Sequence, residues 1–432
     1  MPRGHAVFRF TPRFTLLPIA LAAALAQPAI ADDGRAAEIA ALRVEMQRLQ
    51  ERLAALETAA TAAALPPVAT VPATPPDTLA GGSGLEVADA EAGTSFGIGG
   101  RIHYDVYAHD TDRVPATGGS EFRRVRVHVE GEAAEWGYRV QVELSGRNTD
   151  LRDVYLERGF GDTTLTLGQF KPFRSMDELT SSNDISAMER GFGSASGLFA
   201  DRQWQQGIGL LHATGSGSIG LSAFSLREDN TPRNEGWGAA TRATWAPLRE
   251  GDRLVHLGAW HSHEQGGRDT PAAAIEVAYG GRRGPEALLF ESVGGPGFEA
   301  RASGLEFAGT LGSFHWQGEW SRARFAGMGA DGRLEAGYLQ AGWLFGGVRE
   351  YDVDEGVFGS PAQIGGGLWE AVARLDRVAL RGVDGVEARR VVLGVNWYAT
   401  DDVRFMLNWT RGEDLATGDE PSQLAFRAQY AF

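Results

Sequence analysis

Ser422-Gln-Leu-Ala-Phe-Arg-Ala-Gln-Tyr-Ala-Phe432 closes the sequence, and its alternation decides the fold. Successive side chains of a strand point to opposite faces. Leu424, Phe426, Ala428, Tyr430 and Phe432 therefore share one face, and Gln423, Ala425, Arg427, Gln429 and Ala431 share the other. A soluble sheet would bury the apolar face in a core, but no helix follows in the sequence to cover it. A transmembrane barrel turns such a face to lipid and satisfies every backbone group between strands. The alternative is a soluble sandwich that ends on a strand.

The same period of two begins at Phe96 and recurs throughout the rest of the chain. Ile98, Ile102, Tyr104 and Val106 alternate with Arg101, His103 and Asp105; Val125, Val127 and Val129 alternate with Arg124, Arg126 and His128. Tyr138, Val140 and Val142 alternate with Arg139, Gln141 and Glu143, and Phe405, Leu407 and Trp409 with Arg404 and Asn408. Each run approaches the roughly 9–11 residues that a tilted spanning strand needs. Tight connections (131–135, 214–217, 399–402) alternate with longer ones (110–120, 229–235, 412–421), as short turns at one membrane face and long loops at the other would. Counting runs predicts an all-β fold, an antiparallel transmembrane β-barrel of about sixteen strands. Residues 265–302 are Gly- and Pro-rich and leave their strands unplaced.

The chain has 432 residues, 58 Gly, 11 Trp and no Cys, which excludes disulfides, thiolate metal sites and a Cys nucleophile. The formal charge of −15 gives no basic footprint for nucleic acid. Arg3, Arg9 and Arg13, the apolar run Leu16 to Ala26 and the small-residue site Ala29-Ile30-Ala31 predict a signal peptide over 1–31. Its removal would take away three Arg and no acid, leaving −18. Ile39, Leu42, Met46, Leu49, Leu53 and Leu56 repeat at spacings of three and four, which predicts a short coiled-coil helix within 32–58. It would self-associate or tether the barrel in the periplasm. Pro66-Pro67 and Pro75-Pro76 mark 59–95 as an extended linker before a barrel over 96–432.

Five segments, in order along 96–432, resemble the phosphate- and polyphosphate-selective O and P porin family. They are Phe122-Arg-Arg-Val-Arg126; Leu167-Gly-Gln-Phe-Lys-Pro-Phe173 with Glu178-Leu-Thr-Ser-Ser-Asn183 and Met188-Glu-Arg190; Gly367-Leu-Trp-Glu-Ala-Val-Ala-Arg374; Leu393-Gly-Val-Asn-Trp-Tyr398 with Arg404-Phe-Met-Leu-Asn408; and Arg427-Ala-Gln-Tyr-Ala-Phe432. A last strand ending on Phe is also similar to the assembly signal of bacterial outer-membrane barrels. The resemblance implies a homotrimeric sixteen-stranded porin in the Gram-negative outer membrane. It implies passive diffusion of small anions, phosphate or polyphosphate among them, and a third loop folded into the pore. Residues 171–201 stand at that loop's place. No cofactor and no enzymatic activity are implied. The family's phosphate-selective members are lysine-rich at the constriction, whereas this chain has one lysine, Lys171.

The residues expected to line the pore and guide anions are Arg101, Arg124, Arg126 and Arg139 on the wall and Lys171, Arg174 and Arg190 on the loop. The competing reading is that inward Arg and Glu pair across the wall, with Glu143, Glu319 and Glu370 as partners. That would make a weakly selective general porin; a mainly structural outer-membrane protein, tethered through its coiled coil, is the remaining alternative. His103 and His128 are expected on the lumen wall. His261, His263 and Glu264 have a spacing that can hold a metal, though a solvated pair at a loop mouth is the plainer reading. Gly191-Phe-Gly-Ser-Ala-Ser-Gly197 is not a nucleophile elbow.

Overall fold

The computed structural model describes residues 47–48, 84–89, 93–194, 198, 202–227, 234–327, 331–363, 367–382 and 385–432. Two compact units divide the chain, residues 1–74 and 75–432. In the first, Gln47 and Arg48 are helical and exposed. The signal peptide, nearly all of the coiled-coil helix and most of the linker fall outside the described residues.

The second unit is built of strands. A short β1 (Leu85–Asp89) pairs with the start of β2 (Thr94–Asp110), inside the stretch expected to be linker. Then come β3 (Gly119–Ala133), β4 (Trp136–Glu143), β5 (Asp150–Phe160), β6 (Thr163–Phe170), the single-turn helix α1 (Met176–Leu179), β7 (Gln205–Ala213), β8 (Gly217–Ser225), β9 (Gly236–Glu250) and β10 (Arg253–Gly266). A hairpin of β11 (Ala272–Ala278) and β12 (Glu286–Gly294) precedes β13 (Glu299–Leu311), β14 (Phe314–Ala326) and β15 (Gly332–Phe345). A second hairpin, β16 (Gly347–Asp352) and β17 (Val357–Gln363), precedes β18 (Leu368–Leu380), β19 (Glu387–Tyr398), β20 (Val403–Asp414) and β21 (Ser422–Ala431).

Without β1 and the two hairpins, neighbours in sequence pair antiparallel from β2 round to β21, and β21 pairs with β2, so sixteen strands close on themselves. Closure leaves no unpaired edge, which lipid would not tolerate. At the seam Asp105 stands opposite Arg427 and Arg101 opposite Ala431. The Phe432 amide donates to the Gly100 carbonyl and the Gly100 amide to that of Phe432. The terminal ring lies where a Cβ on residue 100 would be 2.6 Å from it, so the closing contact requires glycine there.

The barrel is inside-out relative to a soluble protein. On β21 Leu424, Phe426 and Tyr430 are 38–49% exposed, while Gln423, Arg427 and Gln429 are buried. The same holds on β20, where Leu407 and Trp409 are exposed and Arg404 and Asn408 buried. Exposed apolar side chains form the lipid face; buried polar ones face the lumen. A row of stacked rings, Trp369–Trp397, Trp397–Phe405 and Phe405–Phe426, forms part of an aromatic girdle.

Short turns lie at the end of the barrel that holds the chain's last residue. One of them is the two-residue turn Ala134–Glu135, both at positive φ as a primed hairpin turn requires. Hairpin β16–β17 leaves from this end and enters the lumen. Arg242 of β9 donates to the Glu355 and Gly356 carbonyls, and Val357 and Phe358 pack with Met176, Ala246 and Leu254. Hairpin β11–β12 leaves from the long-loop end, over the stretch where no strand could be placed. Ile275, Val277 and Leu289 pack on Phe298, Phe325 and Leu334 of the inner wall.

Candidate functional site

The segment after β6 folds into the barrel and is tied to the wall on all sides. The Asp177 amide donates to Glu319 Oε1 on β14 at 2.6 Å, and Ser186 Oγ donates to Glu370 Oε1 on β18 at 2.6 Å. His103 Nε2 on β2 meets Asn183 Oδ1 at 3.1 Å, and Arg427 on β21 donates to the Met188 carbonyl at 2.8 Å. Residues 171–194 therefore lie inside the barrel, bonded to β2, β14, β18 and β21. Between them and the wall of β2–β7 lies a chamber of about 550 Å³. A second, outer chamber of about 210 Å³ lies towards the β11–β12 hairpin. Arg124, Arg190 and Gln203 line both, so the two meet there.

Six of the seven expected residues line the larger chamber: Arg101, Arg124, Arg126, Arg139, Lys171 and Arg190. They are not equivalent. Arg126 Nε donates to Glu143 Oε2 at 2.7 Å, and Arg139 is ion-paired with Glu130. Arg101 reaches two hydroxyls instead, Ser181 Oγ at 3.1 Å and Ser182 Oγ at 3.0 Å. Arg190 donates to the carbonyls of Asp177, Glu178 and Thr180. Arg124 is 6% exposed and has no ion-pair partner among the described residues; its Nε and Nη1 have no hydrogen-bond partner there either. A buried guanidinium without a counter-charge is costly, and an anion held at that point would relieve it.

Arg174 is not among the chamber's lining residues. Its side chain is 1% exposed and donates to Glu264 Oε1 at 2.8 Å, while Arg202 holds Oε2 of the same carboxylate. Lys171 Nζ donates to the Glu178 carbonyl and lies 3.7 Å from Glu178 Oε1. Burial, and then the charge of Arg190, lowers its pKa to about 7. Glu143, Glu319 and Glu370 all face inward at 0–5% exposure. Glu370 accepts from Ser186, His315, Asn396 and Tyr398, with Arg349 at 3.7 Å and Arg404 at 3.6 Å. Strand alternation separates the candidate metal set: Glu264 is buried on the lumen side, whereas His261 and His263 face outwards and meet Ser303 and Glu299.

Three features of the chamber are absent from the sequence expectations. Asp352, Asp354 and Glu355, at the tip of the β16–β17 hairpin, border it on the short-turn side. Ser181 and Ser182 bring hydroxyls to Arg101. Trp204, at the end of the inserted segment, gathers cations around its ring: Arg152, Arg126 and Lys171 lie 4.7, 5.1 and 5.2 Å from the centroid. A sequence signal existed for Trp204, since an indole between Gln203 and Gln205 at the start of a strand has no apolar neighbour to pack with.

The description "phosphate-selective porin O and P" matches residues 96–432, and the chain belongs to that family. It is 26% identical over 408 residues to Porin O of Pseudomonas aeruginosa, covering 81% of this chain and 91% of that protein. It is 30% identical over 464 residues to an uncharacterized protein of Caulobacter vibrioides, with 94% and 92% covered. Among solved structures, the anion-selective porin from Comamonas acidovorans superposes with a TM-score of 0.56 at 13% identity, covering 78% of this chain and all of that one. OmpT of Vibrio cholerae in its trimer form superposes at 0.51 and 10% identity, covering 78% of this chain and 99% of that one. The chain is an outer-membrane porin.

Proposed function

We propose that this porin passes small anions along the arginines of the β2–β7 wall. The observation that carries the reading is Arg124, a buried cation with no ion-pair partner among the described residues, standing where the two chambers meet. Arg190 shares that junction, and Arg101 and Lys171 continue the positive surface inward. Positive charge in a narrow lumen with a low-dielectric wall focuses the field for anions. Ser181 and Ser182 add hydroxyls that suit an oxyanion. Phosphate or polyphosphate is the solute that family membership suggests. The Arg126–Glu143 and Arg139–Glu130 pairs and the acids of the β16–β17 tip favour a second reading, a pore of weak selectivity. A homotrimer with a periplasmic coiled coil over 32–58, exported by the signal at 1–31, completes the proposal; OmpT in its trimer form is a precedent at the level of fold.

Reversal potentials in planar bilayers under a potassium chloride gradient test it. The wild type is expected to prefer chloride, and Arg101→Gln/Arg124→Gln to lose most of that preference. Cation preference in the wild type, or no change in the double variant, would falsify the arginine route. Phosphate added to the same cell decides the solute: a specific site for it would suppress chloride current at concentrations where acetate does not.

A further inference from the structure

The lumen of a water-filled barrel is ordinarily polar, yet one side of the larger chamber is apolar. Tyr155, Phe170, Phe173, Leu179, Trp204 and Leu211 line it beside the cations. The wall is shaped for these rings. Phe173 lies over Gly220, where a Cβ would be 2.7 Å from its Cγ, and over Gly209, where a Cβ would be 3.2 Å away. The Phe170 and Phe173 rings are 6.1 Å apart, tilted by 44°. The Trp204 indole is fixed by its N–H, which donates to Asp153 Oδ1 at 2.9 Å. Cation and ring lie within one small molecule's length, since Lys171 Nζ is 5.2 Å from the Trp204 centroid.

Inorganic phosphate would use only half of this chamber. It would take the guanidinium, ammonium and hydroxyl groups and make no use of the apolar lining around Phe173. A flat apolar body carrying one anionic group would use both, its charge on Lys171 and Arg101 and its face against Phe173, next to the cation-covered Trp204 ring. Stacked and edge-on ring contacts of this kind add to plain burial. The β16–β17 tip limits the number of charges: a second anionic group pointing towards the short-turn end would meet Asp352, Asp354 and Glu355. We infer that the chamber is a binding station for aromatic monocarboxylates, of about the size of benzoate. This rests on the anion-pore reading and narrows it.

The test uses the whole porin in planar bilayers, with chloride carrying the current and benzoate, acetate or inorganic phosphate added in turn. Current noise gives the residence time of each. Benzoate is expected to stay about 3- to 10-fold longer than acetate, the increment of one aromatic contact. Phe173→Leu and Trp204→Leu, each checked for folding by heat-modifiable migration, should remove most of that difference. Equal residence of benzoate and acetate in an anion-selective wild type overturns the station and leaves the pore reading standing. So does a benzoate advantage that survives both substitutions, or substitutions that shorten phosphate and benzoate residence alike. Cation preference of the wild type overturns both readings.

Discussion

The two sides of the lumen use the same residue types to opposite effect. On the side of β9–β20, the wall acids Glu319 and Glu370 are held by donors or cations, and so are three others. Glu306 is held by Arg242 and His256, Asp376 by Arg374 and Arg390, and Glu264 by Arg174 and Arg202. On the side of β2–β7, Arg101, Arg124 and Arg190 have no ion-pair partner among the described residues, and a chamber opens next to them. Inward Arg therefore does not mean an anion route by itself. Where carboxylates match it, the charges become packing material that holds inserted segments in place; where they fall short, a positive surface remains for a solute. Wall-to-wall pairing is present on both sides, through Arg126–Glu143 and Arg139–Glu130 as well as the β9–β20 pairs, and guidance is the role proposed for the arginines left over.

The comparison breaks most severely at Glu370. This carboxylate is fully buried and gathers strands β14, β18 and β19, the inserted segment through Ser186 and the β16–β17 hairpin through Arg349. Glu370→Ala would leave Arg349, Arg404 and His315 without their common acceptor. Removing one partner of a buried ion pair costs about 3–5 kcal/mol. Denaturant unfolding in detergent should show a loss of that order, with Glu370→Gln in between because it keeps one acceptor. Loosening of the two inserted segments should also raise conductance. A Glu370→Ala barrel as stable as the wild type would mean that the packed side is not held by its charges.

Arg124 and Arg126 sharpen the comparison, since they are two residues apart on β3 and both face inward. Each neutralisation changes the lumen by one charge, worth roughly 1 kcal/mol at 4 Å in water and about fivefold in a permeability ratio. Arg124→Gln should therefore lower anion preference by about that factor with little loss of stability, because no ion pair is broken. Arg126→Gln strips Glu143 of its partner, and should lower both selectivity and stability. Selectivity and thermal unfolding measured on the two single variants check this. Equal stability losses would show that Arg124 is as much a structural group as Arg126.

The barrel was legible because lipid enforces a single rule: one face apolar, the other not, along every spanning strand. The last eleven residues show it completely. The hairpins β11–β12 and β16–β17 escaped because a segment inserted in the lumen follows no such rule. Ile275 and Val277 alternate as a spanning strand would, yet both are buried against the inner wall. Pairing was illegible for a related reason. Lys171 and Arg174 lie three residues apart on one loop, but Glu264 of β10 captures only Arg174. That partner is 90 residues away, and no local pattern announces it.

Lys171 gives the smallest effect and the finest control on the free side. It is the chain's one lysine and lies in the chamber beside Arg190, the neighbour that after burial does most to lower its pKa, to about 7. A lysine is charged below its pKa and neutral above it. Its positive charge should thus be present at pH 6 and largely lost by pH 8, and anion preference should fall as pH rises through that window. The arginines keep their charge throughout, so the fall should be partial. Lys171→Arg should hold the low-pH preference at pH 8, since a guanidinium does not titrate there. Lys171→Met should show the high-pH preference at every pH. Reversal potentials taken between pH 5.5 and 9 on the three proteins decide it. A wild-type profile that stays flat to pH 9 and falls only near the ordinary lysine pKa would show that water in the lumen offsets the burial, and that Lys171 belongs with the permanently charged arginines.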